Sequence, residues 1–332
     1  MTTDGKRRTA DGKTSLETFS KYAGLLKNIL FLIPCLFKIH SFTIHSLIIN
    51  MDAFIAYFSD MPTLHRTGLL VGGLAVFLLI ENAAPLFSIK KYNRVKHTGL
   101  NIFFTLTTVI VNFVMAFILV LTSNWVVTNG FGIMQWMSAA PFVLTALVGL
   151  MVMDFVGAWL AHYIEHHVKW MWKFHVIHHT DQHVDTTTAN RHHPGESVIR
   201  FMFTTLAIVV AGAPIWMVFL YQSLSLVMSQ FNHSNVSMPK WLDNALVLVV
   251  CTPNMHRVHH HYRQPYSDTN YGNIFSFWDR IFQTYVVVDN KKLVYGVDTH
   301  MEKSEIDNVG YLLKSPFLPY RPHIPYEDEE RL

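Results

Sequence analysis

Residues 162–179 read HYIEHHVKWMWKFHVIHH, and residues 256–260 repeat the end of that stretch as HRVHH. His162 and His166 stand four apart, while His175, His178, His179 and again His256, His259, His260 stand at i, i+3 and i+4. On an α-helix these offsets put each set on one face, with neighbouring Cβ atoms about 5–6 Å apart. Each set is therefore a preformed claw for a metal ion. Eight imidazoles exceed what one tetrahedral or octahedral ion can use, so two metals are expected, with iron, zinc, copper and nickel all suited to the donor. Stacking imidazoles on one face brings no hydrophobic gain, and their buried nitrogens need partners. Of 20 histidines, fourteen fall between 162 and 261. His167, His183, His192 and His261 adjoin better-placed neighbours and are expected to point away. The isolated His40, His45, His65, His97, His300 and His323 read as polar residues near an interface.

The surroundings are apolar. The chain has 332 residues, 51% hydrophobic and 15% charged, with a mean hydropathy of +0.24, against about 25% charged in an average soluble domain. Three stretches, about 68–88, 101–122 and 139–161, are long enough to span a bilayer, which takes roughly 20 residues. Lys90, Lys91, Arg94 and Lys96 lie between the first two, and no charged residue follows until Asp154. By the positive-inside rule the 89–97 loop is cytoplasmic and 123–138 lies outside, so the third span delivers the chain back to the cytoplasm at HYIEHH. The apolar stretch 198–231 holds Gly212 and Pro214 at its middle, reads as a short hairpin or re-entrant pair, and brings HVIHH and HRVHH to one side. The expected fold is all-α: a multi-pass transmembrane protein with a cytoplasmic, histidine-rich helical cap holding a dimetal site.

Residues 1–50 read as a poorly defined N-terminal extension, its apolar part broken by Lys27, Pro34 and Lys38 and lacking a small-residue cleavage site. A membrane domain is expected over 51–290 and a cytoplasmic C-terminal tail over 291–332. Cys35 and Cys251 are too far apart for a zinc ribbon or a stapled secreted domain. A net charge of +3 is too small and scattered for a nucleic-acid partner.

HYIEHH, HVIHHTD, TTTANRHHP, FNHSN and HRVHHHYRQPYSDTNYG, followed by FWDRIFQTY, together resemble the fatty acid hydroxylase superfamily, which includes sterol desaturases and hydroxylases and alkylglycerol monooxygenase. The resemblance runs over roughly 68–290. It implies a membrane-bound non-haem di-iron oxidase, with two iron ions as cofactor and dioxygen as co-substrate, that hydroxylates or desaturates a sterol, fatty acyl or ether lipid. The eight histidines above match the family's histidine boxes, and His193 in RHHP and His233 in FNHSN match its additional histidines. In HYIEHH both His166 and His167 fit a box spacing. His166 is preferred because it shares a face with His162 and, two turns away, with Asp154. Asp154, Asp185, Asn235, Asp268 and Asn270 are candidates to hold ligand imidazoles from behind, and no catalytic residue separate from the metal site is expected.

Such an oxidase needs two external electrons, and the chain has no G-x-G-x-x-G, cysteine cluster or haem-attachment motif. A ferredoxin- or cytochrome-type donor with its reductase is thus expected as a partner, docking at Arg257, Arg263 and Arg280. The aromatic residues Trp159, Trp170, Trp172, Phe174 and Trp278 suit lipid walls or interfacial anchoring. The expected location is the bacterial inner membrane, with the active site on the cytoplasmic side. Two other readings stay open at this stage: a membrane zinc-dependent lipid hydrolase, which the same imidazoles could serve, and a metal transporter, which would place its ligands on broken helices at mid-membrane.

Overall fold

The computed structural model describes residues 51–88 and 92–324; the expected N-terminal extension and the lysines of the basic loop, Lys90 and Lys91, lie outside the described residues. The chain divides into Met1–Tyr57 and Phe58–Leu332, and the second unit carries everything below. Its helices are bounded by prolines, glycine and caps. α1, Thr63–Ala83, begins after Pro62 and stops short of Pro85, which moves the first span toward the N-terminus of the expected 68–88. α2, Arg94–Thr128, starts where the Asn93 side chain accepts from the Lys96 amide. α3, Phe142–His167, starts after Pro141 and contains a π-helical turn, Phe155–Leu160, just before its histidines. α4, Lys169–His179, follows at once. α5, Pro194–Ala211, has Pro at its first position and ends on Gly212 at φ +65°, a left-handed cap that glycine adopts without strain. α6, Ile215–His233, follows Pro214, and α7, Pro253–His259, is capped by Thr252. Among the described residues there are no strands, only isolated bridges such as Pro85 with Val236.

Contacts along the helices fix their directions. α1 and α6 run side by side: Arg66 lies over the Phe219 ring, Phe77 meets Phe231, and Glu81 accepts from the Asn235 amide at 2.9 Å. α2 and α5 likewise run together, joined by Thr108 to Ser197 at 2.9 Å and by Ser123 Oγ donating to the Ala213 carbonyl at 3.0 Å. Three helices, α1, α3 and α6, thus run toward the histidines, and α2 and α5 run away. The turn after α5 reaches the far loop, where Gln135 Nε2 donates to the Gly212 carbonyl at 2.8 Å and a Cβ on Gly132 would collide with the Gly212 backbone nitrogen. The stretch 198–231 is therefore a hairpin whose legs reach from the histidines to the opposite end. The 18 residues of α5 cover about 27 Å, close to the ~30 Å hydrocarbon core of a bilayer.

Among the described residues four helices are long and apolar enough to cross a membrane: Thr63–Ala83, Arg94–Trp136, Phe142–His167 and Pro194–Ala211. The first two expose Leu64, Val71, Leu79, Phe113 and Phe117, an apolar surface that suits lipid and not water. At the histidine end the basic loop meets the cap, with Tyr92 stacked on His183 at 4.0 Å. The segment after 290 packs there too: Val297 and Leu312 join Leu100, Phe104, Trp172, Val176 and Ile177 in one buried cluster, and Arg191 holds the Ile306 carbonyl. His97, expected at an interface, is instead drawn into this polar packing, bonded to Asp181 at 2.9 Å.

The directions generate a test. In a background with Cys35 changed to serine, Lys240→Cys and Lys314→Cys, both exposed at the histidine end, should react with an impermeant maleimide from one side of sealed vesicles, and Asn129→Cys from the other. Labelling of Asn129→Cys and Lys240→Cys from the same side would contradict the helix directions.

Candidate metal centre

The histidines converge into two nests. His162, His166, His175, His179 and His259 place one ligand atom each within 4.8 Å of one another, and His178, His233, His256 and His260 do the same beside them. Helix geometry explains the sorting. Residues four apart share a face, so the pairs His162/His166 and His175/His179 enter the first nest and the pair His256/His260 the second. The adjacent residues His178 and His179, or His259 and His260, point about 100° apart. His178 and His259 therefore cross to the opposite nest from their own pair. Each His-x-x-His-His helix lies between the nests and feeds both, two rings to one and one ring to the other.

The backs of the rings are tied down. His162 Nδ1 donates to the Tyr271 carbonyl at 2.9 Å, His259 Nδ1 to the Thr269 carbonyl at 2.8 Å, and His233 Nδ1 to the Ser229 carbonyl at 2.7 Å. A carbonyl only accepts, so in these three neutral rings the proton sits on Nδ1 and Nε2 carries a lone pair. His175 Nδ1 meets Glu196 Oε1 at 2.7 Å and His166 Nδ1 meets Asp268 Oδ1 at 3.0 Å. The Nε2 atoms then face one another: His162 to His175 and His175 to His179 at 3.1 Å, His166 to His179 at 3.2 Å, and His233 to both His178 and His256 at 3.1 Å.

Lone pairs aimed at each other at this spacing repel unless a cation lies among them. Two nitrogens each about 2.1 Å from one ion and at right angles are about 3 Å apart. His259 Nε2 and both ring nitrogens of His260 are buried without a hydrogen-bond partner in the protein, which a buried polar atom rarely tolerates. Burial holds His175, His178, His179, His256, His259 and His260 well below the usual imidazole range, which is the neutral form a metal binds. The residues fit two transition-metal ions.

Residues 146–284, which contain both nests, match the family model for fatty acid hydroxylase. Over these residues the chain is similar to fatty acid hydroxylases. The chain is 25% identical over 244 residues to ornithine lipid hydroxylase OlsE of Rhizobium tropici, covering 70% of each. It is 29% identical over 174 residues to alkylglycerol monooxygenase of Danio rerio, covering 50% of this chain and 35% of that one. With the Homo sapiens alkylglycerol monooxygenase it shares 30% identity over 149 residues, 44% of this chain and 31% of that one. The chain thus spans about a third of the length of these two monooxygenases. No solved structure matches it.

Not every expected residue of this region reaches the nests. His193 does not: it precedes Pro194, so its Nδ1 is spent accepting from the Gly195 amide as the cap of α5, and its Nε2 lies 3.2 Å from the Leu313 carbonyl. Its neighbour His192, expected to point away, lies 4.9 Å from the His178 ring. His167 turns back to the Tyr163 carbonyl and His261 accepts from the Val294 amide, both away from the centre. Of the candidates for holding ligands from behind, only Asp268 touches a ligand ring. Asp154 accepts from the Ile274 and Phe275 amides and from Trp278, because the π-turn between it and His162 changes the helical phase. Asp185 caps the 186–190 turn, Asn235 pairs with Phe87, and Asn270 ties Met255 to Val286. These four fasten the segments that carry histidines. Arg257 is also not a docking residue: it is buried, donating to the Ser234 and Val236 carbonyls.

Three residues that the spacing argument passed over belong to the site. Glu196 backs His175, and Arg200 joins it to Glu165 through contacts of 3.0 and 2.9 Å, with both carboxylates fully buried. A signal existed, since Glu196 and Arg200 stand four apart at the mouth of an apolar stretch, where charges are costly without a role. From the nests a cavity of about 700 Å³ runs between α1, α2, α5 and α6, with His162, His178, His233 and His256 on its wall.

Alanine at His179 or His256 should remove at least one metal ion per chain, because the remaining rings cannot complete the coordination. His193→Ala should keep both ions and lose its capping bond, about 1 kcal/mol of stability, together with its contact to the Leu313 carbonyl. Elemental analysis of purified variants reads this out, and metal loss in His193→Ala equal to that in His179→Ala would contradict the assignment.

Proposed function

We propose that the chain is a membrane-bound non-haem di-iron oxidase that hydroxylates a lipid with dioxygen and two electrons from a separate donor. The observation that carries this reading is the placement of two nests of neutral imidazoles at the inner end of a largely apolar cavity in the membrane domain. A pair of iron ions supplies the activation of dioxygen that breaking an unactivated C–H bond requires. The names of the relatives, a lipid hydroxylase and a monooxygenase, agree with hydroxylation as the outcome in preference to desaturation.

The chain's own residues do the rest. The Tyr271, Thr269 and Ser229 carbonyls hold three rings in the ligand tautomer, and Glu196 and Asp268 orient two more. Tyr271, buried at 5.2 to 5.5 Å from the His162, His166 and His259 rings, covers the first nest against water. The walls of the cavity let a lipid remain among the helices while one carbon reaches the histidines. The two electrons would come from a separate donor of ferredoxin or cytochrome type with its reductase, a reading that rests on the sequence having no G-x-G-x-x-G, cysteine cluster or haem-attachment motif. The positive-inside rule, applied to the loop that meets the cap through Tyr92, supports a cytoplasmic histidine end in a bacterial inner membrane.

Membranes carrying the protein, given iron and reductant, should place label from dioxygen and not from water into lipid. A zinc hydrolase would behave in the opposite way, turning over without dioxygen or reductant. Undiminished turnover under anaerobic conditions would overturn the oxidase reading.

A further inference from the structure

We propose that the cavity takes a single acyl chain ending in an anionic group, carboxylate or phosphate, and that Arg66 holds that group at the end of the cavity opposite the histidines. This rests on the lipid-oxidase reading for its chemistry, but the binding site stands on geometry of its own. The cavity is lined at one end by His162, His178, His233 and His256 and at the other by Arg66. Arg66 lies one turn into α1, and α1 runs toward the cap, so its guanidinium sits at the far end of the bundle, 4.8 Å over the Phe219 ring.

Two arginines line the cavity, and they differ in what they meet. Arg200 is matched by Glu165 and Glu196. Arg66 bonds only to Thr63 Oγ1, at 3.4 Å, and among the described residues meets no carboxylate. Arg66 is exposed, at the end of an apolar cavity, and a guanidinium there gains most from a planar oxyanion, which it binds through two parallel hydrogen bonds. Asn112 and Gln222 line the same cavity, and neither side chain has a hydrogen-bond partner among the described residues. The hydroxyls of Thr105, Thr204 and Ser223, by contrast, donate to carbonyls of their own helices. Asn112 and Gln222 are thus free to meet a ligand between Arg66 and the histidines, while the unpartnered Asn190 Nδ2 and Tyr271 hydroxyl line the metal end.

The separation sets the chain length. From Phe219, beneath Arg66, to His233 is fourteen residues of α6, or about 21 Å. An extended chain advances about 1.2 Å per bond, as the reach of an extended backbone implies, so the carbon at the histidines lies on the order of fifteen or more bonds from the acid. The reaction would then fall near the tail of the chain and not beside the headgroup. A volume of about 700 Å³ is that of a site for one small ligand.

Competition for a bound fluorescent fatty acid tests this, with the full chain in neutral phosphatidylcholine nanodiscs at alkaline pH. The competitors are stearate, stearoyl lysophosphatidylglycerol and methyl stearate, and metal content and dioxygen consumption are measured in parallel. Wild type should prefer an anionic competitor over methyl stearate by about tenfold or more, the scale of a hydrogen bond to a charged group. Which anion competes identifies carboxylate or phosphate. Arg66→Gln should erase the preference while leaving methyl stearate binding unchanged, and Arg66→Lys should restore part of it. Equal binding of charged and neutral chains, or a preference that survives Arg66→Gln, overturns the proposal. Arg66-dependent preference in a protein that consumes no dioxygen supports this site and removes only the oxidase reading.

Discussion

Imidazole nitrogens that face each other at about 3.1 Å, several of them with no proton to share, form the constraint on which the rest of this structure depends. Such an arrangement is repulsive by itself, so something outside the nests has to hold it. Three backbone carbonyls and two carboxylates do so directly, and a further layer holds those. Asp279 accepts from the Tyr271 and Gly272 amides at 2.8 Å and from Trp159 at 3.0 Å, which fixes the carbonyl behind His162. Arg257 grips the carbonyls just after His233, and Glu81 gathers the amides of Thr186 and Asn235. Buried ionic groups are costly unless fully engaged. Their concentration here, in a chain only 15% charged, marks where structural effort is spent.

The same constraint explains the position of the site at the end of the helical bundle. Rings in the hydrocarbon would find few carbonyls beyond those of their own helix, because helices there satisfy their own backbone groups. Rings in open water would be protonated or hydrated. At the boundary, α3 can bring His162 and His166 out of the apolar layer while the non-helical backbone at 269–273 supplies acceptors. The cavity between α1, α2, α5 and α6 then joins the two nests to the bundle interior, a geometry that would suit a lipid presenting one carbon without leaving the membrane.

Much of this was legible from spacing, because i, i+4 pairing on one helix is local and needs no knowledge of the fold. The spans, the hairpin at Gly212 and Pro214, and the meeting of HVIHH with HRVHH were likewise written in periodicity and helix breakers. What escaped was non-local. Whether His192 or His193 faces the nest depends on which one Pro194 commits to capping, and the motif that matches His193 carries no sign of that choice. Asp154 looked like a partner for His162 until the π-turn altered the phase between them. The carbonyls of Tyr271, Thr269 and Ser229 carry no sequence signal at all, since any residue could supply them. Glu196 and Arg200 did carry one, as a charge pair at the start of an apolar helix.

Metal-edge X-ray absorption on the purified protein loaded with ferrous iron, together with the iron count per chain, tests the central claim most directly. Two ions per chain, each with a shell dominated by imidazole nitrogen at about 2.1 Å, is the predicted result. A single ion per chain, or a shell in which sulfur or oxygen outnumbers nitrogen, would contradict the two-nest account.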